Sequence, residues 1–268
     1  MSSATQALND GWVVAQRNLV KIKRVPDILV FVLISPIMFV LLFAYVFGGA
    51  IDVPGDVGYK EFLVPGIFAQ TVVFGATFTG YGLADDMQKG LIDRFRSLPM
   101  ARSAVLVGRT TSDVVYNVIS LGIMGLTGLV VGWRIREGFV DAVLGFLLLL
   151  AFAYAISWIM AYVGLLVPSV EVVNNASFIV IFPLTFVSNA FVPLTSFDGV
   201  LRTFVEWNPV STVTQACREL FGNTDPSIAV PDSWAMQNPV VYSLIWAAVI
   251  VAIFAPFSAR QFRLSTSK

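Results

Sequence analysis

Few side chains in this sequence are suited to making or breaking bonds. The 268 residues contain no histidine and a single cysteine, Cys217. Imidazole zinc sites, Ser/His triads and HExxH chemistry are thereby excluded, and a disulfide or thiol cluster has no second sulfur. The pattern GxxxxGK[ST], whose amides and lysine would cradle a nucleotide's phosphates, does not occur, so the chain has no Walker-type ATPase site of its own. No catalytic, cofactor-binding or metal-ligating residue is assigned, and the chain reads as a non-enzyme. Its acidic residues lie in loops or at the edges of apolar runs. Asp113, Asp141 and Glu171 come closest to the runs and read as interfacial charges at helix ends. Coupling to an ion gradient through an intramembrane carboxylate is therefore disfavoured, while a carbonyl-lined sodium site stays open.

The polar chemistry that remains is of another kind. Residues 90–109, GLIDRFRSLPMARSAVLVGR, place four arginines and a proline between apolar runs. Drawn as a helix, Leu91, Phe95 and Leu98 stand at +4 and +3 and share a face; Asp93, Arg94, Arg96 and Ser97 occupy the rest until Pro99 stops it. An apolar stripe flanked by fixed charges suits docking against a partner surface, the alternative being a membrane-surface helix that caps the neighbouring runs. A second amphipathic segment covers residues 9–24: Trp12, Ala15, Leu19 and Ile22 share one face, with Arg17, Lys21 and Arg24 opposite. It reads as a helix lying in the headgroup plane and ending at Pro26, or as a basic flank. Within the runs, Gln70, Thr71, Thr77, Asn117, Thr185, Ser188 and Asn189 either line a path or join helix to helix, and Gly122, Gly125, Gly128 and Gly132 read as close helix packing.

These segments need a scaffold, and composition identifies its solvent. Hydrophobic residues make up 57% and charged ones 13%, with a mean hydropathy of +0.79; soluble domains hold about 25% charged residues. A bilayer crossing needs roughly 20 apolar residues. Six uncharged runs qualify, at 28–47, 62–84, 114–131, 142–167, 172–194 and 240–257, within one all-α membrane domain spanning 1–268. Pro36, Pro65 and Pro183 fall inside runs and mark kinks.

Six crossings place twelve Lys and Arg on one side and five on the other, so both termini and the 90–99 segment are expected in the cytoplasm. Arg134 and Arg136 fall on the outer side against the trend. The first run is too long for a cleavable signal and has no small-residue cleavage site behind it.

Outside, residues 198–222 read as two short helices or an ordinary folded loop. Arg202 stands four from both Asp198 and Glu206, Asn208-Pro209 interrupts, and Thr212 to Gln215 has capping-box spacing for a second helix that Gly222 would end. Either form closes the outer mouth. The segment NTDPSIAVPDSWAMQNP after it reads as loop.

The runs SPIMFVLLFAYVFGGAI (35–51) and YKEFLVPGIFAQ (59–70), the segment D-x-x-x-G-L-I-D-R-F-R-S-L-P from Asp86, and FVPLTSFDGVLRTFVEWNPVS (191–211) resemble a type-2 ABC transporter permease of the daunorubicin/doxorubicin-resistance type. The resemblance covers nearly the whole chain in the same order. It implies a permease without its own ATPase, in which two permease chains, identical or paralogous, assemble with two copies of a separate ATP-binding subunit that carries ATP and Mg. This chain would need no cofactor and, besides membrane lipid, no nucleic-acid partner.

The resemblance passes the role of a coupling helix in an ATPase cleft to Gly90, Leu91, Asp93, Arg94, Phe95, Arg96, Leu98 and Pro99, with Arg102 and Arg109 extending the contact or neutralising lipid phosphates. It makes 9–24, with Trp12, Arg17, Leu19, Lys21 and Arg24, an interfacial elbow helix, and 198–222 a pair of outer re-entrant helices. It places a candidate substrate path at Gln70, Thr71, Thr77, Thr185, Ser188 and Asn189. The implied location is a bacterial plasma (inner) membrane. The implied activity is export of amphiphilic drugs or lipid-like molecules; the alternatives are export of a lipid-linked glycan or envelope lipid, a gradient-driven carrier, or a non-transporting scaffold.

Overall fold

A computed structural model of the chain describes residues 26–48, 57–96, 104–167, 169–225 and 231–264, with isolated positions at 16, 51, 53 and 55. Trp12, Arg17, Leu19, Lys21 and Arg24 of the interfacial segment, and Leu98, Pro99 and Arg102, lie outside the described residues. All regular structure among the described residues is helical. Helix α1 (Pro26–Leu41) continues into a π-helical turn (Leu42–Phe47), and α2 (Tyr59–Gly75), α3 (Thr77–Gln88) and α4 (Leu91–Arg96) follow. Then come α5 (Ala104–Val131), α6 (Phe139–Leu166), α7 (Val170–Phe186), α8 (Gly199–Trp207), α9 (Pro209–Phe221), α10 (Trp234–Gln237) and α11 (Pro239–Leu264).

Among the described residues four helices are long and apolar enough to cross a membrane: Tyr59–Gln88, Val105–Val131, Phe139–Leu166 and Pro239–Leu264. At about 1.5 Å per residue, the 28 residues of α6 reach past a hydrocarbon layer of about 30 Å. The chain is a multi-pass membrane protein. Two further apolar helices, Ile34–Val46 and Val170–Phe186, are shorter.

The apolar runs and the helices differ in two places for physical reasons. The run 172–194 is helical only as far as Phe186: Pro183 lies in its last turn, Val187 N–H closes on Pro183 O at 2.8 Å, and the chain then leaves the helix. At α5 the helix begins at Ala104, ten residues before the run at 114. Asp113, read above as a charge at a helix end, is therefore inside a helix, and it is buried.

Helix α6 is the centre of the bundle and packs against α2, α3, α5, α9 and α11. Its Leu149, Phe152, Ala153 and Ala155 are fully covered and join Leu63, Ile67, Phe68, Val213 and Phe221 in the main core. A smaller core at the other end of α6 gathers Leu83, Ile92, Val105, Leu106, Trp158, Ala161, Leu165 and Phe262. The α3 and α6 backbones touch where a Cβ on Gly164 would fall 2.4 Å from Gly80 O, so small residues set this crossing. Of the glycines expected to pack α5, Gly128 does so within this chain and the others do not. A Cβ on Gly122 or Gly125 would meet nothing within 4 Å, whereas Gly128 packs near Val64 and Trp133 and Gly132 supplies a turn at φ +111°.

Candidate coupling and transport site

The segment proposed for coupling is built by a turn and one anchor. Lys89 N–H returns to Asp85 O and Gly90 N–H to Met87 O, and Gly90 takes φ +65°, a conformation that costs glycine little. Helix α4 starts at once, and its Ile92 is 1% exposed in the smaller core. Burying an isoleucine contributes about 1.5–3 kcal/mol, enough to fix so short a helix to the bundle. Successive residues turn by about 100°, so Arg94 stands roughly 200° from Ile92 and is exposed. Leu91 is half-buried; Asp93, Phe95 and Arg96 are described by their backbone alone. The stripe reasoning missed Ile92 because it followed Leu91, Phe95 and Leu98 and not their neighbour. Arg109, assigned above to the ATPase contact or to lipid phosphate, turns inward: its Nη2 donates to Phe78 O at 2.5 Å.

At the other end, α9 is set into the bundle against α3's predecessor α2 and against α6 and α11. Its start is not the Thr212–Gln215 capping box. Pro209 occupies the first turn, where its missing N–H costs nothing, and Asn208 Oδ1 accepts from Val210 N–H at 2.8 Å. The same Asn208 donates through Nδ2 to Leu184 O at 2.8 Å and Val187 O at 2.7 Å, covering carbonyls at the end of α7. Gly222, left-handed at φ +70°, ends α9.

Buried Arg218 on α9 went unremarked in the sequence. It is 2% exposed, donates through Nε to Phe62 O at 2.8 Å and through Nη2 to Asn189 O at 2.8 Å and Ala190 O at 3.2 Å, and lies 3.5 Å from the Phe62 ring centroid. The irregular chain after α7 thus has its carbonyls satisfied by a side chain from another helix, the condition under which non-helical backbone survives away from water. Ser211 Oγ accepts from Asn189 N–H at 3.0 Å, and a Cβ on Gly66 would stand 2.2 Å from Ala190 O, so α2 presses directly on this strand of chain. The sequence signal for Arg218 was an arginine following apolar residues of α9 at helical spacing.

The two arginines that break the charge asymmetry both have protein acceptors. Arg136 donates to Glu61 Oε1 at 2.8 and 3.2 Å, and this bond raises the guanidinium's pKa above its ordinary value. Arg134 folds back onto Leu129 O at 2.7 Å, at the negative end of α5. Trp133 Nε1 donates to Asn223 Oδ1 at 2.7 Å, so the turn after α5 is fastened to the end of α9.

Residues 10–221 match the family described as ABC-2 type transporter. The chain belongs to the ABC-2 type transporter family. It is 35% identical over 247 residues to the daunorubicin resistance ABC transporter permease protein DrrB1 of Streptomyces coeruleorubidus, covering 92% of this chain and 83% of that protein. It is 27% identical to the probable doxorubicin resistance ABC transporter permease protein DrrC of Mycobacterium tuberculosis, over 87% and 81% of the two chains. The putative transport permease ycf38 of Cyanophora paradoxa is 23% identical, over 80% and 74%. The ABC-2 match closes at Phe221, the last residue of α9.

In this ABC-2 transporter the polar residues of the candidate path are mostly engaged within their own helices. Thr71 donates to Ile67 O, Thr77 to Phe74 O, Thr185 to Ile181 O and Ser188 to Thr185 O, each hydroxyl returning to its own chain three or four residues back. Asn189 belongs to the Arg218 cluster, and Gln70 is buried on α2. The structure brings Ser188 and Asn189 together near α9 and leaves Gln70, Thr71 and Thr77 along α2 and its junction with α3.

A second feature of the ABC-2 bundle is a column of phenylalanines. Phe178, Phe182 and Phe186 stack at i, i+4 and i+8 on α7 with centroids 5.3 and 4.2 Å apart, and Phe191 continues at 5.1 Å and Phe43 at 4.9 Å. Phe39 and Phe74 extend it at either end, each 6.0 Å from its neighbour. Phe178 is 54% exposed and Phe182 40%, whereas Phe191 is buried, so the column is open along α7 and passes through the core at Phe191 to half-buried Phe43 and Phe39.

Proposed function

We propose that this chain is the membrane-spanning subunit of an ATP-driven exporter of amphiphilic, ring-bearing drugs. Two such chains, identical or paralogous, work with two copies of a separate ATPase in a bacterial inner membrane. The reading rests on the ABC-2 family match over most of the chain together with the drug-resistance names of its relatives. Six crossings are assigned to α1 with its π-helical extension, the α2–α3 pair, α5, α6, α7 and α11, with both termini in the cytoplasm. Residues 90–99 dock on the ATPase, and 198–222 dip from the outer face toward the bundle. The outward Arg94, opposite the Ile92 anchor, supports the docking role. The Asn208 and Arg218 bonds support an inserted α9, because they satisfy the broken backbone that insertion requires. The phenylalanine column supports a flat aromatic cargo, since stacked rings offer their faces and edges to another ring at about 0.5–1.5 kcal/mol per pair.

The test is reconstitution in proteoliposomes with the ATPase encoded beside this chain, identified by its Walker motif. Daunorubicin is expected to stimulate ATP hydrolysis and to move in an ATP-dependent way. Movement without nucleotide that an ionophore abolishes would replace this reading with a gradient-driven carrier. Hydrolysis indifferent to every amphiphile tried would make the chain a scaffold.

A further inference from the structure

One cluster of charges lies inside the bundle and takes no part in the sites above. Arg109 and Asp113 stand one turn apart on α5, and their side chains are 16% and 7% exposed. Both face α3. Arg109 Nη2 donates to Phe78 O at 2.5 Å, its Nε lies 3.9 Å from Asp113 Oδ1, and Thr79 Oγ1 donates to Asp113 Oδ2. One turn further, Asn117 Nδ2 donates to Asp113 O at 2.8 Å, and its Oδ1 is buried without a hydrogen-bond partner.

The receiving face is shaped for these side chains. A Cβ on Gly82 would fall 2.0 Å from the Arg109 guanidinium carbon, and one on Gly75 would fall 2.8 Å from Asn117 Oδ1. Positions 75, 78/79 and 82 therefore form a strip on α2–α3 that takes residues 117, 113 and 109 of α5 at matching turns. The strip begins at the interruption of the long helix: α2 stops at Gly75, α3 starts at Thr77, and Thr79 N–H closes on Ala76 O, three residues back, in a tightened turn. From there α3, 12 residues long, runs about 18 Å to Gln88 at about 1.5 Å per residue, and the chain continues through Gly90 into α4. It is a short arm, interrupted at Ala76, tied to α5 at Thr79, packed on α6 at Gly80 and carrying α4, anchored by Ile92, at its far end.

A charged pair is costly in such surroundings, and removing one partner leaves an uncompensated charge; here Arg109 is held through Nη2, while its buried Nε has Asp113 as an ion partner but no hydrogen bond. Helix packing alone needs no charge here, because the α3–α6 crossing is already close at Gly80 and Gly164.

We infer that Arg109, Asp113 and Thr79 are positioning residues that lock α3 to α5, so that displacement of α4 by the ATPase is delivered to α5 instead of being absorbed at the Ala76 joint. The inference rests on residues 90–99 being the ATPase-docking segment.

The experiment compares Thr79→Val, Thr79→Ser and Asp113→Asn with the unaltered chain, each reconstituted with the ATPase and assayed with daunorubicin. Thr79→Val replaces the hydroxyl by a methyl of similar size and keeps both charges, so it is the milder change beside Asp113→Asn, and monodisperse insertion of each variant is checked first. Thr79→Val is expected to retain bound ATPase and basal hydrolysis within twofold of the unaltered complex, while daunorubicin moved per ATP falls at least tenfold. Thr79→Ser is expected to restore it. Unchanged movement per ATP in Thr79→Val, or loss of bound ATPase in step with loss of transport, overturns the inference and leaves the exporter reading standing. If hydrolysis by the unaltered complex is stimulated neither by daunorubicin nor by any other amphiphile tried, the exporter reading fails and the positioning role fails with it.

Discussion

Arg218 shows how one side chain can decide a local fold. Its guanidinium serves the carbonyl of Phe62 inside α2 and those of Asn189 and Ala190 in the non-helical chain after α7. The long separations, 156 residues to Phe62 and 29 to Asn189, mean that one arginine joins α2, the chain after α7 and α9. Arg218→Met keeps much of the volume and removes the donors, leaving the neutral buried carbonyls of the chain after α7 unmet at a cost of about 1–3 kcal/mol. A lowered melting temperature of the purified chain in detergent would show it. A melt indistinguishable from that of the unaltered chain would mean that water or lipid reaches these carbonyls.

Helix α4 is the element on which the proposed coupling rests, and its six residues are too few to be stable alone. Its hold is Ile92. Ile92→Ala removes that anchor and is expected to cost about 2–5 kcal/mol locally, so that ATPase subunits still bind the loop while cargo-stimulated hydrolysis falls severalfold. Arg94→Glu and Arg96→Glu together are expected to do the reverse, with the permease inserting normally and the ATPase lost on co-purification. If both variants lose the ATPase equally, anchor and docking face are not separable. The residue types around 90–99 revealed an amphipathic segment from local spacing alone. Which of its apolar residues points into the bundle depended on Leu83, Val105 and Phe262, which arrive from three other helices.

At the scale of the molecule the claim to test is the topology. Cys217 is fully buried, which keeps its thiol from reagents and allows single added cysteines to be read against it. Asp232→Cys, exposed between α9 and α10, is expected to react with a membrane-impermeant maleimide in whole cells. Lys89→Cys, exposed at the coupling turn, is expected to react only after permeabilisation. The opposite pattern would invert the chain and move the coupling turn away from any cytoplasmic ATPase.

The class of this protein is a sum over its residues: many apolar side chains, few charges, and runs of bilayer length. Such sums depend on neither partner nor distance, so composition and run length alone determine that the chain belongs in a membrane. The amphipathic segment between the second and third runs was legible for the same local reason. The tertiary structure decided what the charges and breaks mean. Asp113 changed from a helix-end charge to half of an internal pair because α5 starts at Ala104 and Thr79 stands opposite. Asn208, not Thr212, starts α9 because the same amide also meets the carbonyls ending α7. A buried polar group is stable only where other atoms complete its hydrogen bonds, and in this chain those atoms come from residues distant in sequence.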